Sequence, residues 1–209
     1  MSAKGEVVVI GGGGHAKVVI STLQAAGFFV AAAFDEDSNK WGREALGVPI
    51  LGPAGKIEEG RYEFGVIAIG NNSARKAIAE KFDLRWVTVI HPAACVHPSV
   101  RLGVGTVVFA GAVIQPDCLI GDHVIVNTSA SIDHDCRIAN FAHIAPGSNL
   151  AGEVRVGEGA FMGIGSAAIP GISIGPWTTV GAGGVVARDL PERVVATGVP
   201  AKPRRKTEL

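Results

Sequence analysis

From Ile90 to Pro191 the chain repeats every six residues. The first residues of successive blocks read Ile90, Val96, Leu102, Val108, Ile114 and on to Val186, seventeen blocks without an insertion, and only Ala168 departs from a large aliphatic residue. The fifth position is mostly small, as at Ala112, Ala130, Ala142 and Ala160. A period of six fits neither the 3.6 of a helix nor the alternation of an ordinary strand. A fixed short repeat marks a solenoid, in which each unit buries its apolar face against its neighbours. Gly or an acid often comes after the first position, as in LGVGTV, IGDHVI and VGEGAF, so the chain turns at every block.

These blocks resemble those of the hexapeptide-repeat acyltransferases. The resemblance implies a left-handed parallel β-helix with three blocks to a coil, and the 102 residues from Ile90 to Pro191 make between five and six coils. The handedness comes from the family, since the general preference for right-handed crossovers points the other way. The tail segment GVPAK, Gly198 to Lys202, resembles the tail found after the last coil in many of these enzymes.

Ahead of the solenoid, VVVIGGGGHAKVVISTLQAAG predicts a strand, a glycine turn and a helix with Val19, Leu23 and Ala26 on one face and Gly27 as its cap. FFVAAAFDED predicts a second strand ending on Asp35, Glu36 and Asp37. This is the opening βαβ unit of a Rossmann-like α/β domain. FGVIAIG predicts another buried strand, and SARKAIAEKF a helix with Ser73 near its N-cap. The expected division is residues 1–88, Rossmann-like, and 89–209, solenoid and tail. No Ser- or Gly-rich linker separates them, so they are expected to be held rigidly.

Nineteen basic and nineteen acidic residues cancel, which gives no reason to expect nucleic acid or an anionic membrane as partner. No apolar run approaches the roughly 20 residues of a membrane span, and MSAKGEVVVIGGGG lacks the features of a signal peptide. The expected location is cytoplasmic. Cys118 and Cys136 fall on the small, inward position of their blocks and read as packing residues.

Gly11, Gly13 and Ala16 have the spacing of a dinucleotide turn, with Asp35 where a ribose acid stands. About 85 residues hold only one mononucleotide half, so the expected ligand is a nucleoside diphosphate and not NAD. The combination GGGGHAK, FDED and AIGNN before a hexapeptide domain resembles one branch of the family, the N-acetyltransferases of nucleotide-linked 4-amino-4,6-dideoxy sugars, with the sialic acid O-acetyltransferases as relatives. By that resemblance Gly13, Gly14, His15, Asp35 and Gly70 hold the nucleotide sugar and Asn127 contacts the sugar.

Within NTSASIDHDC, His134 and Asp135 stand together. A histidine titrates near neutral pH, and an adjacent carboxylate orients it and raises its basicity, as an amine or hydroxyl nucleophile requires. In the branch it resembles, the equivalent histidine is the proposed general base and the acid after it its partner. The resemblance also assigns His143, the Gly152 amide and Ile164 to an acetyl-coenzyme A channel, with Lys202 and its basic neighbours at the coenzyme phosphates. His143 lies nine residues after His134, half a coil on, so the two project from different sides of one prism. They converge only between chains, and the family packs as a homotrimer. The implied reaction is direct attack of the sugar 4-amino group on the thioester of acetyl-coenzyme A, without metal or covalent intermediate. Three other readings remain open: O-acetylation of a sialic-acid-type sugar, a γ-carbonic-anhydrase-like zinc hydrolase using His123, His134 and His143, and a non-catalytic sugar-binding solenoid.

Overall fold

Eight elements precede the solenoid: β1 (Glu6–Ile10), α1 (Gly14–Ala25), β2 (Phe29–Phe34), β3 (Glu44–Ala45), β4 (Val48–Gly52), β5 (Phe64–Ile67), α2 (Asn72–Lys81) and β6 (Arg85–Trp86). They are seen in a computed structural model that describes residues 6–57 and 61–207. The signal-peptide reading rests partly on residues 1–5, outside the described residues. The sheet order is β3-β4-β2-β1-β5-β6, and every pairing is parallel except β3 with β4. β1 and β2 carry near-continuous apolar runs because helices and loops cover both faces of a parallel sheet.

α1 buries Ala16, Val19, Ile20 and Leu23, close to the expected face. Gly27, just beyond the C-cap Ala26, has a φ of 79°, where a side chain would be strained. The N-cap of α2 is Asn71 and not Ser73: its side chain accepts from the Ala74 amide at 2.9 Å, and the Ser73 hydroxyl donates to Asn71. The β3–β4 hairpin has no counterpart among the elements expected from sequence. Its turn, Leu46–Gly47, has positive φ at both residues, the geometry that suits a two-residue hairpin, but Leu is an unusual occupant.

From Val89 onward the chain forms two-residue strands at every hexad. Val107 pairs with Val89 and with Ile125, and Ile125 pairs with His143, so each coil advances the register by 18 residues on three parallel sheets. The first positions of the hexads point inward. Ile114, Val126, Ile132, Ile144 and Met162 are at most 1% exposed, with the small residues Ala112, Ala130 and Ala142 filling the corners. A fully buried Val or Ile contributes about 1.5–3 kcal/mol, and the repeat supplies one to each strand.

The two units share one core. On the first solenoid sheet the outward residues Val107 and Ile125, with Phe109, pack against Val19 and Leu23 of α1. α2 adds a polar latch. Arg75, 1% exposed, donates from Nε to the His123 carbonyl at 2.9 Å and from Nη2 to the Phe141 carbonyl at 2.7 Å, both in the solenoid. Its Nη1 donates to the Ile69 carbonyl at 3.0 Å, and Nη2 also reaches Asn72 Oδ1 at 2.8 Å. Asn72 in turn donates to the Gly159 carbonyl at 2.9 Å. Burial pushes Arg75 down to about 9, still protonated at neutral pH. Replacing Arg75 with Met strands several buried acceptors at once, so calorimetry should show a loss of roughly 2–4 kcal/mol. A change within about 0.5 kcal/mol, the range of an ordinary surface substitution, would mean that the latch is idle.

Candidate functional site

β1 leads to β2 on one side and the chain returns to β5 on the other, so the gap beyond the carboxyl ends of β1 and β5 is the topological switch point, where open α/β sheets bind ligands. Gly11–His15 and Ala68–Gly70 form its two lips. Gly11, with φ 123°, must be glycine: a Cβ there would lie 2.6 Å from the Ala68 carbonyl oxygen. Gly13 and Gly14 face open space, with nothing within 4 Å of an added Cβ. Gly13 caps α1 without a side-chain hydrogen bond, leaving backbone donors toward that space.

Asp35, expected as a ribose acid, braces this turn. Its Oδ2 accepts from the Gly12 amide at 2.6 Å, its Oδ1 from the Asp37 amide at 2.9 Å, and Lys40 Nζ lies 3.0 Å from both oxygens. Burial raises its pKa, but these bonds outweigh it and hold the carboxyl below its ordinary value. Sequence reasoning has no access to the Gly12 and Lys40 partners, because neither lies at a fixed spacing from Asp35.

The switch point opens onto the first solenoid sheet. His143 is 7% exposed and lies beneath Gly70: Nδ1 donates to the Gly70 carbonyl at 3.3 Å, which leaves Nε2 to accept from Asn127 Nδ2 at 3.0 Å. Burial and the Arg75 charge push His143 down to about 3, so it is neutral. His15 stands edge-on to Phe109, with its ring 6.1 Å from that of His143, and burial pushes it down to about 4. Its Nε2 is buried and has no partner among the described residues. His15, Gly70, Asn127 and His143 thus form one cluster. The expected direct contact of the His143 ring with coenzyme finds both ring nitrogens already engaged within the chain.

His134 lies on another corner of the prism, after the strand Ser131–Ile132 of the second sheet. It is exposed, and Nδ1 is 2.8 Å from Asp135 Oδ2. That bond comes first among the causes that raise its pKa above the ordinary histidine value, and the nearby charges of Asp133, Asp135 and Glu153 add to it. Asp135 adopts φ 59°, which turns the chain and sets its carboxylate beside the ring. One coil on lies Gly152. A Cβ there would fall 2.5 Å from His134 Cε1 and 2.6 Å from Nε2, so the imidazole rests on the bare glycine backbone. A shallow groove of about 390 Å³ on the second sheet reaches Asp133 and Ala151, the residues just before His134 and Gly152.

Ile164 is 61% exposed and projects from the corner after Phe161–Met162, on the same edge of the prism as Asn127. Lys202 begins an exposed strand, Lys202–Lys206, paired antiparallel with Val194–Thr197; the closing basic residues are therefore ordered against the last coil. His123 stacks on Phe141 with centroids 5.3 Å apart, and His143 lies on the first sheet. Among the described residues no group of three His, Cys, Asp or Glu side chains is arranged to hold a metal ion. Arg75 and Asn72 are the residues that reading by motif missed. A lone Arg in an amphipathic helix reads as solvated, and only the docked solenoid shows that it is buried.

Residues 6–82 match the family model described as the PglD N-terminal domain. A 111-residue stretch is 42% identical to the UDP-N-acetylbacillosamine N-acetyltransferase of Bacillus subtilis (strain 168) and covers 48% of this chain and 50% of that protein, so the match spans half the length of this curated relative. Perosamine N-acetyltransferase from Caulobacter crescentus, solved with CoA and GDP-perosamine, is 49% identical with a TM-score of 0.90, over 97% of this chain and 98% of its own. The acetyltransferase domain of PglB from Neisseria gonorrhoeae FA1090, solved with acetyl coenzyme A, is 36% identical with a TM-score of 0.88, over 95% of this chain and 98% of its own. With near-complete coverage at such identity, and with the switch point and hexad solenoid both in place, the chain belongs to the hexapeptide-repeat N-acetyltransferases of nucleotide-linked amino sugars.

Proposed function

We infer that the protein transfers acetyl from acetyl-CoA to the 4-amino group of a GDP- or UDP-linked 4-amino-4,6-dideoxy sugar. The observation that carries this is the His134–Asp135 pair over Gly152: with Nδ1–H held by the carboxylate, the Nε2 lone pair is free beside a backbone amide. The amine attacks the thioester carbon as His134 Nε2 takes its proton. The Gly152 N–H receives the developing oxyanion, the C–S bond breaks, and the thiolate leaves as coenzyme A. A fixed donor of that kind commonly contributes roughly 3 kcal/mol. The buried cysteines stand away from this chemistry, which supports direct transfer.

Residues 1–88 hold the nucleotide sugar, with the diphosphate over Gly13 and Gly14 and His15 Nε2 as a polar contact. Residues 89–209 carry the acyl transfer, with Ile164 and Lys202 along the coenzyme. His143 contributes by holding the amide of Asn127. In one chain His134 and Asn127 sit on different corners of the prism, so a complete site requires a second copy, and a homotrimer of parallel solenoids supplies it. Sedimentation at micromolar concentration should give three chains per particle; a fully active monomer would exclude the shared site.

The direct test is coenzyme A release from acetyl-CoA with GDP- and UDP-linked 4-amino sugars, using the matching 4-hydroxy sugars as controls. No release with any amine acceptor would overturn the reading. Because nothing in the free protein opposes a side chain at Gly13, Gly13→Val should fold normally yet raise the Michaelis constant of the nucleotide sugar by at least about tenfold. That for acetyl-CoA should hold, and an unchanged sugar-nucleotide constant would remove Gly13 from the site.

A further inference from the structure

The corners between the second and third sheets stack into a column whose third hexad residues are Pro98, Pro116, His134, Gly152 and Pro170. Proline has no N–H, so three of these corners present no backbone donor at that point. At His134 the donor is taken, since its amide bonds to the Asp133 carboxylate at 2.9 Å. Ala151 replaces Asp133 one coil later and offers no side-chain acceptor. Among the described residues the Gly152 N–H has no hydrogen-bond partner, which makes it the one unclaimed amide of the column.

The other end of that peptide unit is held from inside. The Ala151 carbonyl accepts from the Cys136 thiol at 3.2 Å, and Cys136 is fully buried. A trans peptide is planar with its C=O and N–H opposed, so a carbonyl drawn inward turns the N–H outward. Elsewhere in the solenoid the donor fifteen residues before a corner carbonyl is a hydroxyl: Thr106 to Gly121 at 2.7 Å and Ser148 to Gly163 at 2.8 Å. At the Gly163 corner the Ser166 amide also bonds that carbonyl, at 3.0 Å. The corner 151–154 has no such amide bond among the described residues, so its peptide plane depends on the thiol. One coil earlier Cys118 makes the equivalent bond to the Asp133 carbonyl at 3.0 Å.

We propose that Cys136 is a positioning residue for acyl transfer, its thiol holding the Ala151–Gly152 peptide so that the Gly152 N–H faces the acyl oxygen. This rests on the acetyl-transfer reading above. The Cys118 thiol beside it and burial both raise the pKa of Cys136, so it remains a protonated donor.

Cys136→Ala, Cys136→Ser and Cys118→Ala test it. Alanine already fills the same hexad position at Ala112, Ala130 and Ala142, so the solenoid accommodates it. Losing an oxyanion donor outright costs about 100-fold to 1,000-fold in turnover, so a donor left loosely aimed in Cys136→Ala should lower kcat by about tenfold or more with both Michaelis constants within about twofold. Cys136→Ser keeps a donor and should recover kcat to within about threefold. Cys118→Ala should lose less than about threefold, because Asp133 still caps the amide on that peptide. Wild-type kcat in Cys136→Ala, an equal loss in Cys118→Ala, or a Ser variant as slow as Ala would overturn the proposal. The Gly152 amide ¹⁵N shift in the ligand-free protein needs no substrate: it should move in Cys136→Ala and return in Cys136→Ser. If the wild type acetylates none of the amino sugars, the functional reading fails, while an unmoved Gly152 shift in Cys136→Ala overturns the role of the thiol in either case.

Discussion

His134→Asn is expected to lower turnover by roughly 100-fold to 10,000-fold while leaving both Michaelis constants little changed, because it removes a proton acceptor and almost nothing else. His134 is exposed, and its ring packs on Gly152 rather than in the core, so the variant should melt with the wild type. The pH profile supplies a second signature. The active form is the neutral imidazole, so turnover falls as pH drops through the pKa of His134. Asp135 holds that pKa above the ordinary value, which places the acidic limb higher than an isolated histidine would. Asp135→Asn should move the limb to lower pH, and His134→Asn should abolish it. Near-normal turnover in His134→Asn at neutral pH, with the limb intact, would exclude His134 as the base.

Gly152→Ala should be nearly as damaging by a different route. The φ of Gly152 lies outside the left-handed region, so its backbone accepts alanine. The new methyl meets His134, at 2.5 Å from Cε1 and 2.6 Å from Nε2. An exposed ring can swing aside, so thermal stability should hold. The base, however, leaves its place next to the oxyanion donor, and a misplacement of about 1 Å can cost roughly 100-fold in rate. We expect kcat to fall by about 100-fold or more at unchanged Tm. A folded Gly152→Ala protein with wild-type kcat would show that His134 works from another position.

Much of this site could be read from the chain because its determinants are local. The hexad register placed His134 and Gly152 eighteen residues apart, hence on adjacent coils of one corner, and the His134–Asp135 pair lies within one turn. Reading by position failed where a side chain's surroundings come from another unit. His143 counted as a coenzyme contact from its hexad, yet Gly70 of the first unit covers it. Arg75 sits in a helix that is polar on average, yet three of its carbonyl partners belong to loops distant in sequence. Asp35 stood at the spacing of a ribose acid, and that spacing carried no sign that Gly12 and Lys40 already occupy its oxygens.

By itself the sequence determined the solenoid, its coil length, its inward and outward positions, the glycine turn and the catalytic pair. Each arises from periodicity or from neighbours a few residues apart, where backbone geometry leaves few alternatives. The tertiary structure alone decided how the two units join. That contact depends on which outward side chains the docked helices cover, and on buried carbonyls that must find donors once water is excluded. It therefore set the neutral state of His15 and His143, the burial of Arg75 and the inward pull of Cys136 on the Gly152 peptide, because each depends on partners brought together only by folding.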